Sequence, residues 1–297
     1  MEPQIRLPKP TRPLGRPLGY LSRALIAASY PLRGIYYFLR HPSYYPLFIG
    51  RLLPLSIISF LVYLILFTFA FLPQYAFLAL FHGLSGAWFN AVVLVLGEGL
   101  VIIQGLFEGF FVDECRVDVF DATLLDLGLD DLVAPHRLLF ADAPTSVKKL
   151  GKPTSAAIYQ PWSLIQIVEL IIFLPLNLIP YVGTPAFIII TGARLGTFAH
   201  YRWFDLRGLT KKERKAEVRK RMWENIWFGT IAMILELIPI LSFFFLLTST
   251  TGAALWTAKL EQQARGSSVS APPADVPGES QEHGPDEPPP PYVDNPV

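Results

Sequence analysis

The stretch LLPLSIISFLVYLILFTFAFL, Leu52 to Leu72, decides the class of fold. It is 21 residues long and carries no charge. At about 1.5 Å per residue in a helix it covers roughly 30 Å, the thickness of one bilayer hydrocarbon core. Arg51 and Pro73 bracket it, and residues 73–86 add no formal charge. A second apolar run, Ala87 to Val112, is interrupted by Glu98, Gln104 and Glu108. A third, Trp162 to Ala199, is cut by Pro175, Pro180 and Pro185, and a fourth, Ile226 to Ala258, by Pro239. Over the 297 residues 52% are apolar and 16% charged, against about 25% charged in soluble domains. The expectation is an all-α integral membrane protein, not a soluble enzyme.

Between the apolar runs the chain changes character. Residues 1–19 are rich in Pro, Arg and Gly and read as disordered. Residues 20–50 mix tyrosines and arginines with apolar residues and read as an interfacial helix broken at Pro31, because tyrosine rings suit the headgroup layer. Residues 113–161 hold eight acids and five bases, with a short helix expected in Asp118–Leu132 and loop after it. Thr210-Lys211-Lys212-Glu213 is a capping-box pattern and should start a polar surface helix reaching about Glu224. From Arg265 onward Ser, Pro, Gly and acids dominate, and such a segment buries too little to order itself. Three segments follow: a cytosolic basic one (1–50), a membrane domain (51–262) and a disordered tail (263–297).

The third and fourth runs repeat each other. Leu178-Ile179-Pro180 precedes Thr191-Gly192-Ala193-Arg194-Leu195, and Leu237-Ile238-Pro239 precedes Thr251-Gly252-Ala253-Ala254-Leu255. The proline-to-glycine spacing is 12 in one copy and 13 in the other. Proline removes a donor and bends or breaks a helix. A break at Pro180, with Gly183 beside it, leaves halves of about 16 residues, short of the roughly 20 needed to span. Pro239 cuts the second copy likewise. Charge agrees: residues 1–51 hold eight bases and one acid, and residues 194–224 hold ten and four. The positive-inside rule puts both on the cytosolic face. Two long transmembrane helices plus two hemi-penetrating hairpins satisfy this, with both termini cytosolic.

Gly34-Ile35-Tyr36-Tyr37-Phe38-Leu39-Arg40-His41-Pro42, the paired Leu-Ile-Pro elements and Trp227-Phe228-Gly229 resemble the CysZ/etoposide-induced protein 2.4 superfamily over roughly residues 30–262. Glu236-Leu237-Ile238-Pro239 through Trp256 is similar to its fungal branch of lipid-droplet and outer-spore-wall proteins. The resemblance implies two long helices with hemi-penetrating pairs, a location at the endoplasmic reticulum or lipid droplets, and a non-enzymatic role in assembling the outer spore wall during sporulation. The bacterial members imply an alternative, an anion (sulfate) or small-solute permease.

Several residues carry candidate chemistry. Glu98, Gln104 and Glu108 lie in an apolar helix, where ionisable groups are costly and default to functional readings. Glu169 and Glu236 sit in or near apolar runs too. The plainer reading for such acids is a place near the interface or a pairing with an arginine such as Arg194. Gly105 and Gly109 form GxxxG, a common close-packing motif. Lys211, Lys212, Arg214, Lys215, Arg219, Lys220 and Arg221 could meet anionic lipid headgroups at about 1 kcal/mol each, or simply form a solvated helix. His200 and Asp205 fit the His-x4-Asp spacing of lipid acyltransferases, in which histidine acts as general base. The acyl-phosphate motif of those enzymes is missing, so an interfacial polar cluster is the simpler reading. Cys115 follows an apolar run, as palmitoylated cysteines do, although a plain small residue serves as well there. No cofactor, metal or nucleic-acid motif is read.

The tail contains Pro288-Pro289-Pro290-Pro291-Tyr292, in which Pro289, Pro290 and Tyr292 make a Pro-Pro-x-Tyr motif. Prolines pre-form the polyproline II helix that WW domains bind, so the implied partner is a HECT-type ubiquitin ligase with WW domains. A chance tyrosine in a low-complexity tail is the bland alternative. Tyr292→Ala should abolish binding of the full chain to an isolated WW domain in a calorimetric titration, and unchanged affinity would refute the motif.

Overall fold

The computed structural model describes residues 17–109, 112–153, 179 and 182–269. Helix α1 (Pro17–Arg40) runs through Pro31 without breaking. An internal proline costs a helix about 3 kcal/mol, and here tertiary packing offsets it. Ala24, Ala27, Tyr30 and Phe38 form a buried face, and the backbone at Tyr30–Pro31 lies against Gly252. The opposite face, Leu21, Leu25, Leu32, Tyr36 and Leu39, is apolar and exposed. Pro17–Gly19, expected to be disordered, are the first turn of α1.

After a 3-10 turn (Pro42–Tyr44) come α2 (Tyr45–Phe69) and α3 (Phe71–Gly109). The expected stop at Pro73 is not a stop. Ala70 keeps α-helical angles (φ −95°, ψ −33°) and donates to the Leu66 carbonyl at 2.8 Å. Gln74 donates to the Ala70 carbonyl at 3.2 Å. Pro73 falls in the first turn of α3, where a missing N–H costs little. The reversal comes instead at Gly83, with φ 67° and ψ 173°, a conformation only glycine adopts readily. Beyond it the chain returns along its own path. Leu78 packs with Ala87, Ala91 and Leu94, Gln74 bonds Glu98, and the Tyr63 hydroxyl donates to the Leu96 carbonyl at 3.2 Å. The 73–86 link is therefore two helical flanks around a one-residue turn. By length and composition Ile49–Phe69 and Phe71–Leu106 are each apolar enough to cross a membrane, the second being folded at Gly83 into two limbs.

A small polar layer follows. Helix α4 (Val112–Asp126) begins earlier than expected, and α5 (Asp130–Val133) is a single turn. The segment read as loop contains an antiparallel hairpin, β1 (Arg137–Leu139) with β2 (Leu150–Pro153), and a turn of helix between them, α6 (Ser146–Lys149), capped by the Thr145 hydroxyl. Phe140 donates to the Lys149 carbonyl at 2.9 Å.

The repeat region comprises α7 (Gly183–Ala199), α8 (Tyr201–Leu206), α9 (Lys211–Lys220), α10 (Met222–Glu236) and α11 (Ser242–Val269). Pro180 lies outside the described residues. Gly183 is the buried first residue of α7. The Thr210/Glu213 capping box forms as read, but α9 stops at Lys220, not near Glu224, because Arg221 leaves helical geometry. Pro239 does break the second copy: α10 ends at Glu236, Ile240 takes φ 70°, and α11 starts at Ser242. Helix α11 runs on to Val269, past the boundary at residue 262, with Leu260, Glu261 and Ala264 buried.

The two Thr-Gly-Ala elements do equivalent structural work. Gly192 and Gly196 of α7 meet Gly229 of α10, while Gly252 of α11 meets α1, which offers Gly34. A Cβ on Gly229 would sit 1.8 Å from the Gly192 carbonyl oxygen, and one on Gly34 2.1 Å from that of Thr248. Backbones touch at both crossings, the geometry that small residues permit. Helix α10 makes most of its contacts with α7 and α1, and α11 with α1 and α4, so α1 is wedged between the arms of the second repeat.

Neither crossing can accept a side chain. Gly229→Leu should destabilise the purified protein by more than the about 1–3 kcal/mol of ordinary overpacking, or prevent folding. Gly50→Ala, whose new methyl meets nothing, should leave the thermal transition in detergent within a few degrees. Equal transitions for the two variants would contradict the packing.

Candidate functional site

Two buried polar assemblies stand out, one within the apolar helices and one in the polar layer. The first centres on Glu236, the last residue of α10, which is 2% exposed. Its carboxylate accepts from the Gln104 amide of α3 at 3.2 Å. Arg116 of α4 and Tyr63 of α2 lie within its electrostatic reach. The turn that follows is tied to α2, since the Ser56 hydroxyl donates to the Ile240 carbonyl at 3.1 Å. Ser59 and Ser242 face each other at 3.4 Å. A carboxylate in such a setting is tolerable only when paired and hydrogen-bonded.

The sequence candidates are distributed unevenly around this centre. Gln104 belongs to it. Glu98 does not: its two oxygens accept from Gln74 at 2.8 and 2.9 Å, closing the α2–α3 hairpin. Glu108 lies in α3, but its side chain is outside the described residues. Glu236, one of the four acids in or near the apolar runs, is the one at this centre. The repeat carried the clue, because Asn177 stands before Leu-Ile-Pro in the first copy where Glu236 stands in the second.

The second assembly centres on Asp121 of α4, which is fully buried. Arg202 of α8 donates to it through Nε at 3.0 Å and Nη2 at 2.7 Å. Arg137 of β1 donates at 3.3 Å and also reaches Asp118 and the Gly151 carbonyl, both at 2.6 Å. Burial pushes the Asp118 carboxyl up, and the Arg137 guanidinium opposes that. Arg202 also meets Asp205, which Arg214 approaches at 3.7 Å. Alongside, Glu261 of α11 accepts from the Trp203 indole at 2.6 Å and from Arg207 at 2.7 Å. Breaking one partner of a buried pair costs about 3–5 kcal/mol, so this cluster bolts the polar layer to the repeats.

His200 and Asp205 do not make an acyltransferase pair. His200 is 3% exposed, and its Nδ1–H donates to the Gly196 carbonyl at 2.9 Å. Trp256, Phe228 and Trp203 surround the ring. The Asp205 carboxylate is turned toward Arg202 and Arg214. Helix α8 begins at Tyr201, so the two side chains leave on different elements. Cys115 is also closed off: it is 1% exposed, it donates to the Leu47 carbonyl, and burial pushes its thiol up to about 12. A thiol so placed is a poor acylation site.

Of the seven cations read as lipid contacts, Arg214 pairs with Asp205, Lys220 with Glu217, and Arg221 with Glu217 and Glu224. Lys211, Lys212, Lys215 and Arg219 are exposed. Pro289, Pro290 and Tyr292 lie outside the described residues, as do Pro175 and Glu169. Among the described residues no group of three or more His, Cys, Asp or Glu could hold a metal ion. Set against family models, curated proteins and solved structures, the chain matches none.

Burial lowers the His200 pKa from 6.5 to about 4, helped by the Arg221 charge and opposed by the Gly196 carbonyl. The unfolded chain then binds more protons between these values, so stability is whole above about pH 6.5 and falls as pH drops toward 4. The shift corresponds to about 3 kcal/mol. His200→Phe should flatten the thermal-stability profile across that window, whereas a profile identical to that of the unaltered protein would contradict the buried neutral imidazole.

Proposed function

We propose that this chain is an integral membrane protein of the endoplasmic reticulum and lipid droplets, with both termini and every charged segment in the cytosol. In this reading the two Leu-Ile-Pro elements are hemi-penetrating, and the protein supports outer spore wall assembly as a non-enzymatic scaffold at the lipid surface. The observation that carries the location is the α2–α3 hairpin. From residue 52 to residue 97 there is no formal charge, and the turn at Gly83 sits inside that run. The hairpin's outer face is apolar, with Leu53, Leu72, Leu80 and Leu84 each more than 60% exposed. Water would oppose such a surface, and acyl chains would not.

Depth favours droplets. From Arg51 to Gly83 the helical path is about 48 Å at 1.5 Å per residue, longer than the roughly 30 Å core of a bilayer. A bilayer accommodates this by tilt; a droplet interior sets no such limit. The spore-wall role rests on the resemblance over residues 30–262, and the geometry supports the location rather than the pathway.

The polar centre favours a second reading, a small-solute or anion permease. Glu236, Gln104 and Arg116 are grouped beside a broken helix at depth, where transporters place their sites.

A fluorescent fusion of the full chain should coat droplets, and glycosylation acceptor sites placed near residue 208 should stay unmodified. Exclusion from droplets together with labelled-sulfate uptake in proteoliposomes would replace the first reading by the second. Glycosylation near residue 208 would sink the one-sided topology.

A further inference from the structure

A cleft of about 490 Å³ opens between the N-terminal ends of α1 and α10. Tyr20, Leu21 and Ala24 form one wall, and Trp223 and Trp227 the other. Its size lies within the about 300–1,000 Å³ of small-molecule sites. Its walls are aromatic and aliphatic, and Trp223 is 57% exposed, Tyr20 52%. Tryptophan and tyrosine in this state mark the headgroup level of a membrane. The cleft continues into the exposed apolar stripe of α1 through Leu25, so one end opens toward the lipid-facing surface.

The segment that precedes Trp223 in the chain is cationic. Helix α9 leads into α10 through Arg221, and Arg219 precedes Trp223 by four residues. On α9, Lys212, Lys215 and Arg219 recur at i, i+3 and i+7, which places them on one helical face, and they line a shallow groove of about 410 Å³. The acids of this segment are engaged elsewhere. Glu213 caps Thr210, and Glu217 holds Lys220 and Arg221. On the far wall the Arg23 guanidinium stands 5.1 Å from the Tyr20 ring.

We propose that this cleft and the cationic face beside it form one site for an anionic glycerophospholipid, with an acyl chain between Tyr20, Leu21, Trp223 and Trp227 and the phosphate facing Lys212, Lys215 and Arg219. The site rests on the membrane reading above and deepens it by naming the lipid class. An apolar slot alone would take any chain. The cations of α9, unmatched along that face by carboxylates among the described residues, select a lipid whose headgroup is negative. The slot also sits where α1, wedged between α10 and α11, emerges, so an occupying chain would brace α1 against α10.

Tryptophan emission tests this on the full chain reconstituted in phosphatidylcholine vesicles doped with a minor share of brominated-chain lipid. Brominated phosphatidylserine should quench more than brominated phosphatidylcholine at the same share. The excess should vanish in Trp223→Phe/Trp227→Phe, which removes the reporters. In Lys212→Gln/Lys215→Gln/Arg219→Gln the preference should fall by on the order of tenfold or more, with the total quenching by phosphatidylcholine unchanged. Equal quenching by the two lipids in the unaltered chain would overturn the site and leave membrane insertion standing. A preference that survives the triple substitution would overturn the headgroup assignment. Quenching by neither lipid would overturn insertion itself.

Discussion

Asp121 is the point on which the polar half of this protein turns. It is buried on α4, and it holds Arg202 from the repeat region and Arg137 from the β-hairpin at once. An isolated carboxylate there would be expensive, and so would either arginine. Together they satisfy one another, and their geometry dictates where three elements of distant sequence must meet. The Trp203–Glu261–Arg207 contacts extend the same lock to α11. The polar layer is therefore tied to the repeat region by buried ion pairs, and is not a loose loop.

Beyond that layer the helices are held by a different physics. In helices that pack within lipid, apolar side chains gain little from each other, so close backbone contact and a few polar bonds supply the specificity. Both occur here. The glycine crossings at Gly34/Gly252 and Gly192/Gly229 bring helices to touching distance. Gln74–Glu98, Gln104–Glu236 and Ser59–Ser242 fix the register at which they meet. Because the second repeat is broken at Pro239, α10 can leave α11 and pack on α7, and α1 fills the space between.

Local signals were legible wherever the cause was local. The capping box at Thr210 and Glu213, the break at Pro239 and the helical character of the apolar runs among the described residues follow from neighbouring residues, and the structure has them. Misreadings came where a distant partner decided. Pro31 stays helical because α11 is packed on it; Pro73 is the exception, a local case, since it falls in a first turn. The β-hairpin at Arg137–Pro153 has weak strand character of its own and is held by Arg137 reaching Gly151, Asp118 and Asp121. His200 and Asp205 have the right spacing for catalysis, yet a change of helix at Tyr201 sends them to different partners.

The sequence by itself determined that long uncharged segments dominate this chain, that its basic residues gather in two segments, and that two Leu-Ile-Pro elements recur. Those properties are features of composition and residue order, which no distant contact can alter. Only the tertiary structure decided that the first two apolar runs form one hairpin turning at Gly83 and that Glu236, not Glu98, is the buried acid of the centre. It also decided that Trp223 and Trp227 open a cleft toward α1. Each of these depends on which faces meet across helices, and the pairing of faces is set by packing of the whole and not by any single stretch.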